Sequence, residues 1–391
     1  MLISRRIELD PNNKQVGLFR RHAGTARHAW NWGLAEIKKV LEIRKVEKER
    51  TGNAVTKVPT AMDLHKRLVA EVKVANPWYY DVSKCAPQEA LRNLEKACKR
   101  VFKVKGTGFP KFKKRVRRAV FELTNSTFRR AGKKIKLPVI GWIRCKEAIP
   151  ADHVIKSVCI NQRANRWFLA YSYEVETVVA NGHTDTVGVD LGLKTLATLS
   201  NCETIVQPKQ LKLQKKLVRL QRKLARQKRG SNRRNVTKQK LANVHYRISC
   251  IRADLTHKLT SRLAKNHGVI AIEDLNVQGM LKNHCLARSI ANANFSEFRR
   301  QLEYKTLLYG SQLVVVDRWF PSSKTCHVCQ HKQEMPLSKR VFCCEQCGQT
   351  SDRDLNAAKN LAAAGLAVLA QRTRRVGSLC ELTKDATCSV L

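Results

Sequence analysis

Acidic residues are scarce in this chain. Asp and Glu number 31 against 75 Lys and Arg in 391 residues, a formal net charge of +44. A monomer so charged repels itself unless a polyanion neutralises it, and nucleic acid is the obvious one. Charge alone leaves open a protein that only coats phosphate. Long apolar runs are also missing. No stretch of about 18 apolar residues exists, which argues against a membrane span. The opening Met1-Leu2-Ile3-Ser4-Arg5-Arg6 lacks the apolar stretch of a signal peptide. No internal repeat is found. Hydrophobic content of 43% supports real cores in a chain long enough for two or three domains. Cysteine is not scarce: there are 14, ten of them scattered irregularly outside two CxxC pairs. Such scatter reads as reduced thiols, not as a disulfide framework.

The pattern along the chain changes several times. Residues 1–10 read as a short strand, with Ile3, Ile7 and Leu9 among charges. Residues 13–102 read as helical; Leu91, Leu94, Ala97, Cys98 and Val101 recur at helix spacing, and Pro87 suits a first turn. Trp30 and Trp32 are read as core or groove aromatics, with core the default. Gly106-Thr107-Gly108-Phe109-Pro110 breaks the helix, and a basic stretch follows to Arg118. Residues 118–178 read as β, since 134–137 and 167–173 alternate with period two. Residues 178–183 look like a linker.

Beyond it, Thr186 to Asp190 reads as a strand, Gly192 turns it, and Lys194 to Leu199 reads as the next. Residues 204–253 hold 16 Lys or Arg and no acid. Leu213, Leu217, Leu220 and Leu224 mark one apolar seam; Leu241, Val244, Ile248 and Ile251 mark another. A turn lies at Arg229-Gly230-Ser231-Asn232. This is a helical hairpin with an apolar seam and a basic outside. A run without compensating acids reads as a phosphate-facing surface. Gly268 to Glu273 and Leu313 to Val316 are further strands, and Phe295 to Tyr309 a helix. An Ala-Leu-rich helix runs from Asp354 to about Arg372. The tail after it has little pattern and is a candidate disordered segment.

Two constellations carry chemistry. Cys326-His327-Val328-Cys329 and Cys344-Glu345-Gln346-Cys347 put two thiolates on each of two tight turns, enough for a closed tetrahedral zinc site. Cys343 could replace Cys344, although the register Phe342-x-Cys344-x-x-Cys347-Gly348 mirrors the first pair. His327 and His331 rank below the thiols, because four cysteines complete the shell. An all-thiolate site is structural and hydrolyses nothing. The second constellation is three remote carboxylates. Asp190 and Glu273 end short apolar runs, and Asp354 opens a helix. Phosphodiester cleavage by two magnesium ions about 4 Å apart needs such acids from different elements of a rigid sheet. Asp274 and Asp352 are the nearby competitors. Asp352 is the better N-cap, which leaves Asp354 for metal.

At these residues the chain resembles TnpB, the RNA-guided DNA endonuclease of insertion-sequence transposons and a relative of type V CRISPR effectors. The resemblance covers about residues 5 to 372. Gly188-Val189-Asp190-Leu191-Gly192-Leu193-Lys194 is similar to the first RuvC motif. Ile272-Glu273-Asp274-Leu275 is similar to the second, and Asp352-Arg353-Asp354-Leu355-Asn356-Ala357-Ala358-Lys359-Asn360 to the third. Phe320-Pro321-Ser322-Ser323-Lys324-Thr325-Cys326 leads into a zinc ribbon as in the family. The runs 108–113 and 298–304 are also similar.

The resemblance implies a multi-domain α+β and α/β protein. It would have a wedge β-barrel in two parts (1–10 and 118–182) with a helical recognition insert (11–117). An RNase H-like RuvC nuclease domain would follow, in parts 183–318 and 351–372. The basic hairpin (208–265) lies in the first part, an inserted zinc ribbon spans 319–350, and 373–391 is the tail. It implies catalysis by Asp190, Glu273 and Asp354 with two Mg2+, and one structural Zn2+ on Cys326, Cys329, Cys344 and Cys347. Lys84, Gln88, Thr124 and Asn125 fall where the family reads a short DNA motif beside the target. Arg353 and Arg318 are candidates to hold phosphates of the cut strand, with a plain ion pair the stronger reading for Arg318. The partners implied are a guide RNA from the transposon end, one per monomer, and target double-stranded DNA, in a prokaryotic cytoplasm at the nucleoid. The rival readings are a compact type V CRISPR effector, a strand-joining transposase, and a zinc-ribbon binding protein without catalysis.

Overall fold

The computed structural model describes residues 1–114, 119–124, 128–176, 180–208, 210–336 and 338–385, and for 372–385 the backbone alone. The chain divides into two units, Met1–Val175 and Glu176–Leu391.

In the first unit, β1 (Leu2–Asp10) turns Ile7 and Leu9 inward. α1 (Asn13–Thr51) starts on a capping box of Asn12 and Gln15 and stops at Gly52, whose φ of 76° needs no Cβ. α2 (Ala61–Arg67) has its own capping box, Thr60 with Asp63, and runs through a π turn into α3 (Lys73–Ala75). α4 (Cys85–Lys103) carries Pro87 in its first turn and buries Leu91 and Leu94. It packs tightly on α1, because a carbon added at Gly33 would lie 2.7 Å from Leu91 Cδ2. Trp30 is buried in this core, and Trp32 packs half-buried against it.

Six strands follow: β2 (Val120–Thr124), β3 (Arg129–Ala131), β4 (Lys134–Leu137), β5 (Gly141–Cys145), β6 (Ser157–Arg163) and β7 (Arg166–Glu174). With β1 they form a seven-stranded antiparallel sheet of order β2-β6-β7-β1-β5-β4-β3. Strand β1 joins a sheet whose other members lie beyond residue 119, so the helices between them are an insertion into it. The expected barrel is corrected to an open sheet. Among the described residues no ladder joins β2 to β3. β3 is three residues long with no buried side chain, so it has no apolar face to draw the edges together.

In the second unit, β8 (Thr186–Asp190), β9 (Ala197–Leu199) and β10 (Thr204–Ile205) form an antiparallel run. The strand expected from Lys194 begins only at Ala197. Residues 192–195 are spent on a tight turn closed by the Gly192 N–H to Leu196 O (3.2 Å). α5 (Leu211–Arg226) and α6 (Asn232–Asn266) are the basic hairpin, turning at Gly230 (φ 88°) and capped by Ser231. Its seam holds Leu213, Leu217 and Leu220 against Leu241, Val244 and Ile248.

β11 (Val269–Glu273) pairs parallel with β8. α7 (Val277–Met280), α8 (Ala287–Ala293) and α9 (Phe295–Tyr309) lead to β12 (Gln312–Val316), which pairs parallel with β11. The sheet order is β10-β9-β8-β11-β12. One face packs Val187, Val189, Ile270 and Ile272 against Leu259, Leu263, Phe298 and Leu302 of α6 and α9. β13 (Val341–Cys343) and β14 (Thr350–Asp352) form a small separate ribbon. α10 (Arg353–Asp385) then covers the other face through Leu361 and Ala364, against Ala271 and Val316. It runs past the Arg372 expected from the sequence, since no proline follows to stop it and Gly377 is its only late glycine.

Candidate active site and metal centre

Strand period and helix pitch bring the three acids near one another, although among the described residues only the four cysteines already hold their ligand atoms close enough together to share one ion. β8 and β11 run parallel with Val189 opposite Ile272, so Asp190 and Glu273 lie side by side one step further, at the two strand ends. Alternate residues share a face. Gly188 shares a face with Asp190, and Ala271 with Glu273. Both partners touch α10: a carbon at Gly188 would lie 1.9 Å from Ala358 O, and one at Gly365 would lie 2.6 Å from Ala271 Cβ. Asp190 and Glu273 therefore face α10. Asp354 is one helical turn before Ala358, about 6 Å along the axis, much the same step that separates Gly188 from Asp190.

Electrostatics reports the same convergence. Burial first, and then the charges of Asp354 and Glu273, together push the Asp190 carboxyl up to about 7 against the opposing pull of Arg353. Glu273 is also raised, by burial first and then by Asp274. A buried carboxyl such as Asp190, raised by two neighbouring acids, is the kind of group a divalent cation relieves.

The competing acids are otherwise engaged. Asp274 holds Arg299 and, at 2.6 Å, Arg318. The Arg299 hydrogen bond first, and Arg318 as well, keep its carboxyl below the usual range. Arg318 is thus an ion-pair residue here. Asp352 accepts the N–H groups of Asp354 (2.9 Å) and Leu355 (3.1 Å), so it caps α10 and leaves the Asp354 carboxylate free of that duty. Arg353 lies against Asp354 Oδ1 (3.3 Å) and reaches the Lys339 carbonyl.

The four expected thiols lie within 4.8 Å of one another. Cys326 Sγ is 3.7 Å from Cys347 Sγ, and Cys329 Sγ is 3.5 Å from Cys344 Sγ. A tetrahedron with zinc–sulfur bonds of 2.3 Å has edges of about 3.8 Å, so the cluster fits zinc. Within the cluster the Cys344 thiol is drawn down, first by the backbone N–H of Cys347 and then by that of Gln346, while the sulfurs around them push Cys329 and Cys347 up, so the cluster settles most of its charge on one thiolate. Cys343 points away and takes a contact from Thr350 Oγ1, which settles the choice between the two neighbours.

Lys84, Gln88 and Thr124 come together in the first unit. Lys84 is exposed at the head of α4, Gln88 lies one turn on, and Thr124 ends β2 beside them, its hydroxyl on Glu89 Oε1 (2.6 Å). Asn125 lies outside the described residues, as do Val178 and Val179 of the expected linker. Glu89, buried and paired with Arg92, went unnoticed in the sequence. Asn356 and Asn360, two buried amides spaced four apart on α10, stand in the third motif run but were given no role there. Polar residues at helical spacing on an alanine face were the available signal.

The fold is similar to that of Cas12f proteins, with a four-cysteine ribbon in its second unit. The protein chain in a solved Cas12f1–sgRNA–target DNA complex superposes with a TM-score of 0.54 at 16% identity, over 90% of this chain and 83% of that one. A domain model described as "Cas12f1-like, TNB domain" matches residues 295–361, one described as "Probable transposase" matches 169–284, and one described as "Helix-turn-helix domain" matches 1–45. In this structure residues 1–45 are β1 and the single long helix α1, with no turn between two helices. A Streptomyces pristinaespiralis protein provisionally named an RNA-guided DNA endonuclease is 39% identical over 74% of this chain and 73% of its own. InsQ of Escherichia coli K12, with the same provisional name, is 34% identical over 93% and 92%. The chain belongs to the insertion-sequence TnpB family.

Proposed function

We propose that this protein is an RNA-guided DNA endonuclease that cuts DNA matched to its guide beside a short flanking motif. The observation that carries the reading is the crowding of Asp190 by Asp354 and Glu273 at the adjoining ends of β8, β11 and α10. The names of the relatives support the same activity.

Asp190, Glu273 and Asp354 would hold two magnesium ions, which when bound activate water and neutralise charge on the scissile phosphate. The residues around them prepare that step. The Asp274 carboxylate fixes Arg299 and Arg318 next to Glu273, on the wall of a cavity of about 290 Å3 that Arg300 also lines. A single displaced strand would enter there, its phosphates facing guanidinium groups. Arg353, paired with Asp354 at 3.3 Å, would face the phosphate where cations hold the carboxylate. Cys326, Cys329, Cys344 and Cys347 would hold one zinc ion that folds the ribbon and does no chemistry.

The basic hairpin would bind guide RNA. Lys215, Arg219, Arg222, Lys223 and Arg226 of α5 line a groove of about 760 Å3 with Arg288, and spaced cations along one helix suit a phosphodiester backbone. Base pairing would supply sequence, while Lys84, Gln88 and Thr124, with Asn125, would read the flanking motif. The protein would work as a monomer with one RNA, at the nucleoid. Among the described residues no helix is long and apolar enough to cross a membrane.

Two measurements test the reading. Sequencing of the RNA that copurifies with the protein should find a fixed scaffold ending in variable sequence. The complex should cut a matched plasmid with Mg2+, and Asp190→Ala should abolish cutting while guide binding persists. A wild-type complex that leaves matched DNA whole refutes it. Equal activity of wild type and Asp190→Ala would favour the binding protein without catalysis, and strand-transfer products would favour a transposase.

A further inference from the structure

Two buried asparagines tie the zinc knuckle to the helix that carries Asp354. On α10, Asn356 Nδ2 donates to the Thr325 carbonyl (2.7 Å), and Asn360 Nδ2 donates to the carbonyls of Ser322 (2.8 Å) and Thr325 (2.6 Å). The Asn356 Oδ1 accepts the backbone N–H of His327 (3.1 Å) and faces His327 Nδ1 at 3.0 Å. The other ring nitrogen of His327 faces Lys359 Nζ at 3.4 Å. An ammonium can only donate, so Nε2 accepts and Nδ1 carries the proton, which Asn356 receives. The partners are thus the residues leading into and within the first CxxC turn. The segment just before β13 reaches the same helix through the Arg353 N–H on the Arg340 carbonyl (2.8 Å). Asn356 and Asn360 have relative exposures of 0% and 2%. Water cannot replace such bonds, and losing them strands buried carbonyls.

We infer that Asn356 and Asn360 are positioning residues for the nuclease: they transmit the folded state of the zinc ribbon to the first turns of α10 and so hold Asp354 opposite Asp190 and Glu273. Nothing in a four-thiolate ribbon requires two amides from a separate helix. Asp354 sits two residues from Asn356 on the same first turn, and helix geometry moves both together. A ribbon without zinc would release Thr325 and His327, and with them the head of α10. The structural zinc would then act on catalysis at a distance, through hydrogen bonds. This rests on the nuclease reading above, and the experiment separates the two.

The test uses the protein–guide RNA complex, wild type and N356A/N360A, each with zinc bound and after removal of zinc by a thiol-competing chelator. The readouts are zinc content, amide hydrogen exchange across residues 353–361, target affinity, and single-turnover cleavage. The zinc-loaded double variant should keep one zinc per chain and its target affinity within about threefold, yet exchange about tenfold faster at 353–361 and cut about 100-fold more slowly. Zinc removal should speed that exchange in wild type and add nothing in the variant. Unchanged exchange at 353–361 in zinc-free wild type overturns the inference, and this arm stands even if the variant folds poorly. The same follows if the variant cuts at the wild-type rate. If wild type does not cut at all, the nuclease reading falls, while the exchange data still judge the clamp.

Discussion

Gly188→Ala should disable cutting from a position that touches no substrate. A methyl carbon there would lie 1.9 Å from the Ala358 carbonyl oxygen and 2.5 Å from the Ala362 nitrogen. A relaxed carbon–oxygen contact is about 3.3 Å, so α10 and β8 must part by about 1.4 Å. Both obstacles are helix backbone and cannot rotate aside. Overpacking of this kind costs about 1–3 kcal/mol, which the second unit should survive. The displaced element carries Asp354 away from Asp190, and a misplacement near 1 Å costs about 100-fold in rate. The assay is single-turnover cleavage of matched DNA by the guide-loaded variant, with target affinity measured alongside. The rate should fall about 100-fold or more, with affinity within about threefold, because pairing to the guide supplies binding. Gly24→Ala is the control: its added carbon meets nothing within 4 Å on α1, and the rate should not change. Cleavage by Gly188→Ala within threefold of wild type, with unaltered unfolding, would refute the argument that the α10–β8 approach assembles the acids.

Other expectations follow from the same geometry. The raised Asp190 carboxyl makes magnesium-free protein bind more protons folded than unfolded between about pH 4 and 7, so its stability should fall as pH rises through that window, by at most about 4 kcal/mol. Asp190→Asn should flatten that slope in chemical unfolding between pH 5 and 8; an unchanged slope would show the carboxyl is not perturbed. Cys344→Ser should lose zinc and Cys343→Ser should keep one ion per chain by atomic absorption, because only Cys344 faces the cluster. Replacing Arg219, Arg222 and Arg226 by Gln should weaken guide RNA binding and flatten its salt dependence by about 0.7 per charge removed, read from affinity at several salt concentrations.

Much of this was legible without coordinates. Thr186–Asp190, Lys134–Leu137 and Phe295–Tyr309 were readable at their observed bounds, because alternation and helix spacing are local properties that neighbours only reinforce. The four thiols were readable because metal spacing is written in adjacent residues. The failures share one cause. Closure of the first sheet depended on whether β2 and β3 find each other, a pairing of edges that no local pattern encodes. The start of β9 depended on a turn whose length is set by the Gly192–Leu196 hydrogen bond.

The sequence by itself determined the strong positive charge, the four-cysteine ligand set and the strand-end or helix-start places of Asp190, Glu273 and Asp354, since charge, ligand spacing and local pattern are carried by the residue types. Only the tertiary structure decided that Asp190 and Glu273 face α10, that Asp274 is consumed by two arginines, and that Asn356 and Asn360 reach the knuckle. Those outcomes hang on which backbone can approach which. Gly188 and Gly365 permit α10 to lie on the sheet, and the two contacts join residues 170 and 94 positions apart (Gly188 with Ala358, Gly365 with Ala271).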